Sequence, residues 1–133
     1  MAITKKPGRQ EVISARVTFT LGTAASEDVG VIGVYGAIDV PEGAVVVGGS
    51  LVVSDATTAT VDLDVGDGVT ADRYLSGVDG AATGLTALVP TGYVYPAADT
   101  IDVSVTVADA DAAGTAELIV NYVVDGRTAF SQG

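Results

Sequence analysis

Apolar and polar residues alternate along much of this chain with a period of two. Ile13, Ala15, Val17, Phe19 and Leu21 are interleaved with Ser14, Arg16, Thr18 and Thr20. That spacing puts one set of side chains on each side of an extended backbone, so it predicts a strand buried on one face. The same period returns from Thr60 to Val65, where Val61, Leu63 and Val65 oppose Asp62 and Asp64. It is cleanest from Thr100 to Val107, with Ile101, Val103, Val105 and Val107 inward and Asp102, Ser104 and Thr106 outward. A last strand carries Ala116, Leu118, Val120, Tyr122 and Val124. Turn signals separate these runs at Pro41-Glu42-Gly43, Gly66-Asp67-Gly68, Asp109 to Gly114 and Asp125-Gly126.

Other segments are less regular. Val29 to Ile38 is apolar on both sides, apart from its glycines, and reads as a strand covered on both faces. Within Val45 to Val53, Gly48-Gly49-Ser50 is either a hairpin turn or a glycine-rich stretch of one strand. Hairpin arms there would be very short, which favours the single strand. Arg73-Tyr74-Leu75 reads as a short edge strand, and Tyr93-Val94-Tyr95 as a brief aromatic one. Ala81 to Pro90 suits a helical turn or a loop laid on the core. About eight strands and no amphipathic helix result. The expected fold is all-β, a two-sheet β-sandwich of jelly-roll or immunoglobulin-like type. The expected organisation is a basic N-terminal arm over 1–11, a sandwich over 12–126 and a C-terminal tail over 127–133.

Composition changes this picture in two ways. Valine and alanine dominate, Trp is absent, and there are only two Phe. Such a core has few large anchors, so oligomer contacts are expected to add stability. His and Cys are also absent, which excludes Ser–His–Asp and Cys–His catalysis, imidazole metal ligands, zinc–thiolate sites and disulfides. No enzymatic activity and no cofactor is expected.

Charge divides the chain. Residues 1–16 hold Lys5, Lys6, Arg9 and Arg16 against Glu11 alone, a balance of +3, and the remainder carries −14. An acidic body repels nucleic acid and anionic membranes, so neither is an expected partner. The basic arm suits an acidic surface, such as a neighbouring subunit, or else a solvated terminus. No apolar run follows the basic start, so neither a secretory leader nor a spanning helix is expected.

The acids offer one candidate cation site, Asp62, Asp64, Asp67 and Asp72, where crowded carboxylates would favour a hard ion. The competing reading is a solvated acidic strand face and turn. Asp109, Asp111 and Glu117 resemble part of a calcium loop, but Ala113 and Val120 stand where ligands are required. Asp99 and Asp102 do not share a strand face. Paired carboxylates also serve glycoside hydrolysis, but the aromatic platforms of a sugar cleft are missing. Arg73 suits an ion pair that ties down a loop, or a subunit contact. Tyr93 and Tyr95 suit an exposed contact patch, with one of the two in the core.

The stretch from Thr60-Val-Asp-Leu-Asp-Val-Gly-Asp-Gly through Asp72-Arg-Tyr-Leu-Ser-Gly-Val-Asp79 resembles small structural proteins of phages and prophages. Pro41 to Val53, Tyr95 to Val103 and Ala113 to Tyr122 fit the same layout, so the likeness spans roughly residues 12–124. It implies a virion protein of the capsid decoration, or cement, type. Such a protein is made in the host cytoplasm and sits on the capsid surface. Its expected partners are the major capsid protein and further copies of itself, a homotrimer being favoured. The contacts are expected at Lys5, Lys6, Arg9, Arg73, Tyr93 and Tyr95. A head-fibre or tail-associated module, or a carbohydrate- or calcium-binding β-domain, is the alternative.

Overall fold

The computed structural model describes residues 11–22, 32–108 and 113–124. They form eight strands: β1 (Ile13–Gly22), β2 (Gly33–Val40), β3 (Ala44–Asp55), β4 (Val61–Asp67), β5 (Leu75–Asp79), β6 (Gly84–Ala87), β7 (Asp99–Ala108) and β8 (Ala113–Val124). Sheet 1 has the order β1-β8-β3-β6 and sheet 2 the order β2-β7-β4-β5. All pairings are antiparallel. First strand pairs with last, second with seventh, third with sixth, and fourth with fifth. This nesting is a long antiparallel hairpin rolled into two layers, the jelly roll, and not the seven-stranded immunoglobulin arrangement.

The alternation read from the sequence decides which side chains fill the layer between the sheets. Val61, Leu63 and Val65 of β4 and Ile101, Val103 and Val105 of β7 are buried in sheet 2. Leu51 and Val53 of β3 and Ala116, Leu118 and Val120 of β8 are buried in sheet 1. Each such Val, Leu or Ile contributes on the order of 2 kcal/mol by leaving water. Ile13, Ala15, Val17 and Phe19 of the edge strand β1 are half-buried against the same core.

β3 is one strand through its glycines, as the arm lengths favour. Gly49 has φ +135, and a Cβ there would lie 2.1 Å from the Ile119 carbonyl oxygen, so no side chain fits. The ladder to β8 shifts register beside it, between Val46 and Gly48.

Four expectations are corrected. Val29–Val31 lie outside the described residues, and β2 is not covered on both faces: it is an edge strand, and Val34 is 64% exposed. Ala81 to Pro90 forms no helical turn; it holds β6, a four-residue edge strand of sheet 1 paired with β3. The edge strand expected at Arg73 starts only at Leu75, because Arg73 and Tyr74 belong to the preceding turn. Tyr93 to Tyr95 makes no strand either, only an isolated bridge from Val94 to Val45. In β7, Asp102 and Ser104 leave the outward side of the sheet yet are buried, at 3% and 4% exposure. Gly66, the ladder partner of Asp102, carries the Thr70–Ala71 turn packed against it.

Candidate functional site

The turn after β4 gathers residues that the sequence singled out separately. β4 places Val61, Leu63, Val65 and Asp67 on its inward side, so the Asp67 carboxylate faces the interior and is 3% exposed as a residue. Its Oδ1 accepts the backbone N–H groups of Val69 at 3.0 Å and Thr70 at 2.9 Å. Its Oδ2 accepts Arg73 Nε at 2.5 Å and the Tyr95 hydroxyl at 2.8 Å. Tyr95 commits its proton to Asp67, so Tyr74 must donate across the 2.8 Å contact between the two hydroxyls. Tyr93 stands edge-on to Tyr95 at 5.0 Å between centroids, and the Arg73 guanidinium lies 3.6 Å over the Tyr93 ring.

The electrostatics follow from these contacts. Burial alone would raise the Asp67 pKa. Hydrogen bonds from Arg73, Thr70, Tyr95 and Val69 outweigh it and hold the carboxyl below its ordinary value. The bond to Asp67 raises the Arg73 pKa. Burial raises Tyr95 strongly, helped by its bonds to Tyr74 and Asp67, and burial also raises Tyr74. The group is therefore a locked ion pair in which Tyr74 and Tyr95 keep their protons. It also ties the layers together, because the Tyr95 backbone is bonded to Gly43 and to Ala44 of β3 while Asp67 belongs to β4.

Arg73, Tyr93, Tyr95 and Asp67 thus converge, with Arg73 in the loop-tying role. The expected cation cluster does not form. Asp62 and Asp64 leave the opposite side of β4 from Asp67, and Asp64 accepts the Gly77 N–H at 2.7 Å. Asp72 is exposed in the turn. Among the described residues no three acids stand close enough to share a metal ion. Lys5, Lys6 and Arg9 lie outside the described residues, as do Asp109 and Asp111. Tyr74 is the member that sequence reading missed, since nothing in its neighbourhood points to a partner at Tyr95.

The outward surfaces of the two sheets are the other candidate contact regions. Sheet 2 turns out Asp39, Asp62, Asp64 and Asp79, and Asp62 stands directly opposite Asp79. On sheet 1, cross-strand partners share a face: Val45 with Val123, Ser50 with Ile119, and Val52 with both Glu117 and Leu85. Their chain neighbours Ala44, Val46, Leu51, Leu118 and Val120 are core, so this set points outward.

With that geometry, the chain is similar in fold to one in the capsid of Ralstonia phage GP4, with a TM-score of 0.67 and 21% identity over 92% of this chain and 91% of that one. Its fold recurs in phage capsids. A chain of the Cyanophage Pam1 capsid asymmetric unit matches at 0.60 and 24% identity, covering 93% of this chain and 92% of that one. A chain of the acidic stable capsid of Helicobacter pylori bacteriophage KHP30 matches at 0.60 and 22%, covering 87% and 94%. At these identities the likeness is one of fold. No family model matches the sequence, and no curated protein does.

Proposed function

We propose that this chain is a structural, non-enzymatic protein of a phage virion, of the decoration or cement type, bound to the outer surface of the capsid. The observation that carries the reading is a whole-chain likeness of fold: 92% and 93% of this chain superposes on chains of two phage capsids, which it matches nearly end to end. The buried Asp67–Arg73–Tyr95 group supports it too, because its polar atoms serve one another and hold a loop rather than a substrate.

A protein of this type acts through binding alone. It attaches to the assembled shell in preference to free subunits, and mass action then stabilises the shell. The partner is the major capsid protein, contacted at junctions between capsomers, with the chain itself homo-oligomeric and a trimer favoured. The basic arm carrying Lys5, Lys6 and Arg9 reaches to a neighbour, and the acidic face of sheet 2 is turned to solvent. That orientation suits a dense array, since like charges between particles oppose clumping.

The test is to add the purified, full-length protein to capsids of the encoding phage that lack it. Saturable co-sedimentation at a fixed number of copies per capsid, with a rise in capsid melting temperature, is expected. Absence of binding by protein with a native circular dichroism spectrum would falsify the reading.

A further inference from the structure

An open cavity of about 660 Å³ lies where the end of β2 meets the start of β7. Pro41, Ala98 and Tyr122 give it apolar walls, and Asp39 and Asp99 give it two carboxylates. Asp39 is exposed at the rim; Asp99 is half-buried, with its Oδ1 accepting the Thr100 N–H at 2.7 Å. None of the described residues that line the cavity is basic. Tyr122 is also the ladder partner of Ile13, so the described chain enters β1 beside this cavity. Residues 1–10, which precede it, carry Lys5, Lys6 and Arg9 and no acid.

We propose that this cavity is the docking site of residues 1–10 of the same chain in the unassembled protein. Charge, chemistry and reach select that occupant. The segment is basic in a chain whose net charge is −11, so it is drawn to paired acids that repel the rest of any other copy. Lys and Arg lay their methylene stems along apolar walls and carry the charged head to a carboxylate beyond them. A divalent cation has a weaker claim, because among the described residues no three acids stand together to share one. Arg9 precedes Ile13 by four residues and Lys5 by eight, extended reaches of about 14 Å and about 28 Å. A tether that short holds a local concentration on the order of millimolar, which the arm of another copy would have to exceed. The inference does not rest on capsid attachment. Where the arm reaches to a neighbour on the shell it first leaves this cavity, so the contact belongs to the free chain.

Amide NMR of the full chain tests it. The chain has no cysteine, so Thr4→Cys carries a single nitroxide. The isotope-labelled, nitroxide-bearing chain is diluted into an excess of unlabelled wild type, which leaves only contacts within one molecule visible. The signals of Asp99, Thr100 and Tyr122 should broaden strongly, and those of Ser76 and Leu85, which line a different cavity, should not. The broadening should be lost in roughly 1 M salt, where the Debye length is about 3 Å. It should also be lost in Asp39→Asn with Asp99→Asn, which keeps an acceptor for the Thr100 N–H and so leaves the fold native by circular dichroism. Broadening that persists in the folded double variant would come from the tether alone and overturns the proposal, as does a cavity whose signals never broaden. Broadening seen only when nitroxide and isotope sit on different molecules would give the arm to a neighbour, and overturns it equally.

Discussion

The two sheets share one core but turn different chemistry outward. On β4 and β7 the outward positions are Asp62, Asp64, Asp102, Ser104 and Thr106; on β3 and β8 they include Val45, Val52, Ile119 and Val123. A sandwich needs one apolar side per sheet. On the second side, half-buried valine and isoleucine alternate with Ser50, Glu117 and Asn121. The acidic side is costly. Asp62 and Asp79 oppose each other across β4 and β5, and like charges directly opposite destabilise a sheet. The molecule accepts like-charge repulsion on one face and mixes branched apolar with polar side chains on the other.

The largest effect should come from cutting the link that holds these two layers in one body. Asp67→Ala leaves the Arg73 guanidinium, only 14% exposed, without its partner, and strips an acceptor from Tyr95. Removing one member of a buried pair costs about 3–5 kcal/mol, to be read from urea unfolding. A loss below about 1 kcal/mol would mean that the group is not holding the loop.

A smaller effect separates the buried acid of the sheet 2 face from its exposed neighbours. Burial raises the Asp102 pKa, the bond from Thr100 Oγ1 opposes that, and Asp99 and Asp67 add to it. Folded Asp102 therefore holds its proton more tightly than the unfolded chain does. Its contribution to stability falls as pH rises from the ordinary carboxylate value through the raised one. Asp67 has the opposite sign: its stabilisation is full above the ordinary value and is lost as pH falls through the depressed one. Asp102→Asn keeps an acceptor for Thr100 and should raise the melting temperature at neutral pH by roughly 3 °C. The gain should shrink in acid, below the ordinary carboxylate range. An equal gain at both pH values would show that ionisation of Asp102 is not its cause.

Much of this architecture was legible in the alternation of β1, β4, β7 and β8, where a half-buried surface imposes a period of two. The edges were not. β2 and β6 carry apolar residues on exposed sides, so Val34 and Leu85 looked like core when they are surface. Strand order was hidden as well, because it depends on pairings such as Ile13 with Tyr122, more than a hundred residues apart. The Asp67 group was half visible. Continuing the count 61, 63, 65 reaches 67 and turns its carboxylate inward, away from Asp62 and Asp64, which is why the expected ion cluster fails. The partnership of Tyr74 with Tyr95 left no local trace, since only the folded topology brings the two rings together.

The most direct test of the account is a density map of the mature virion of the encoding phage at side-chain resolution. The account predicts this jelly roll on the outer surface of the shell, with Asp39, Asp62, Asp64 and Asp79 turned to solvent. A virion that lacks the chain, or that carries it with the acidic face seated against the shell, would contradict it.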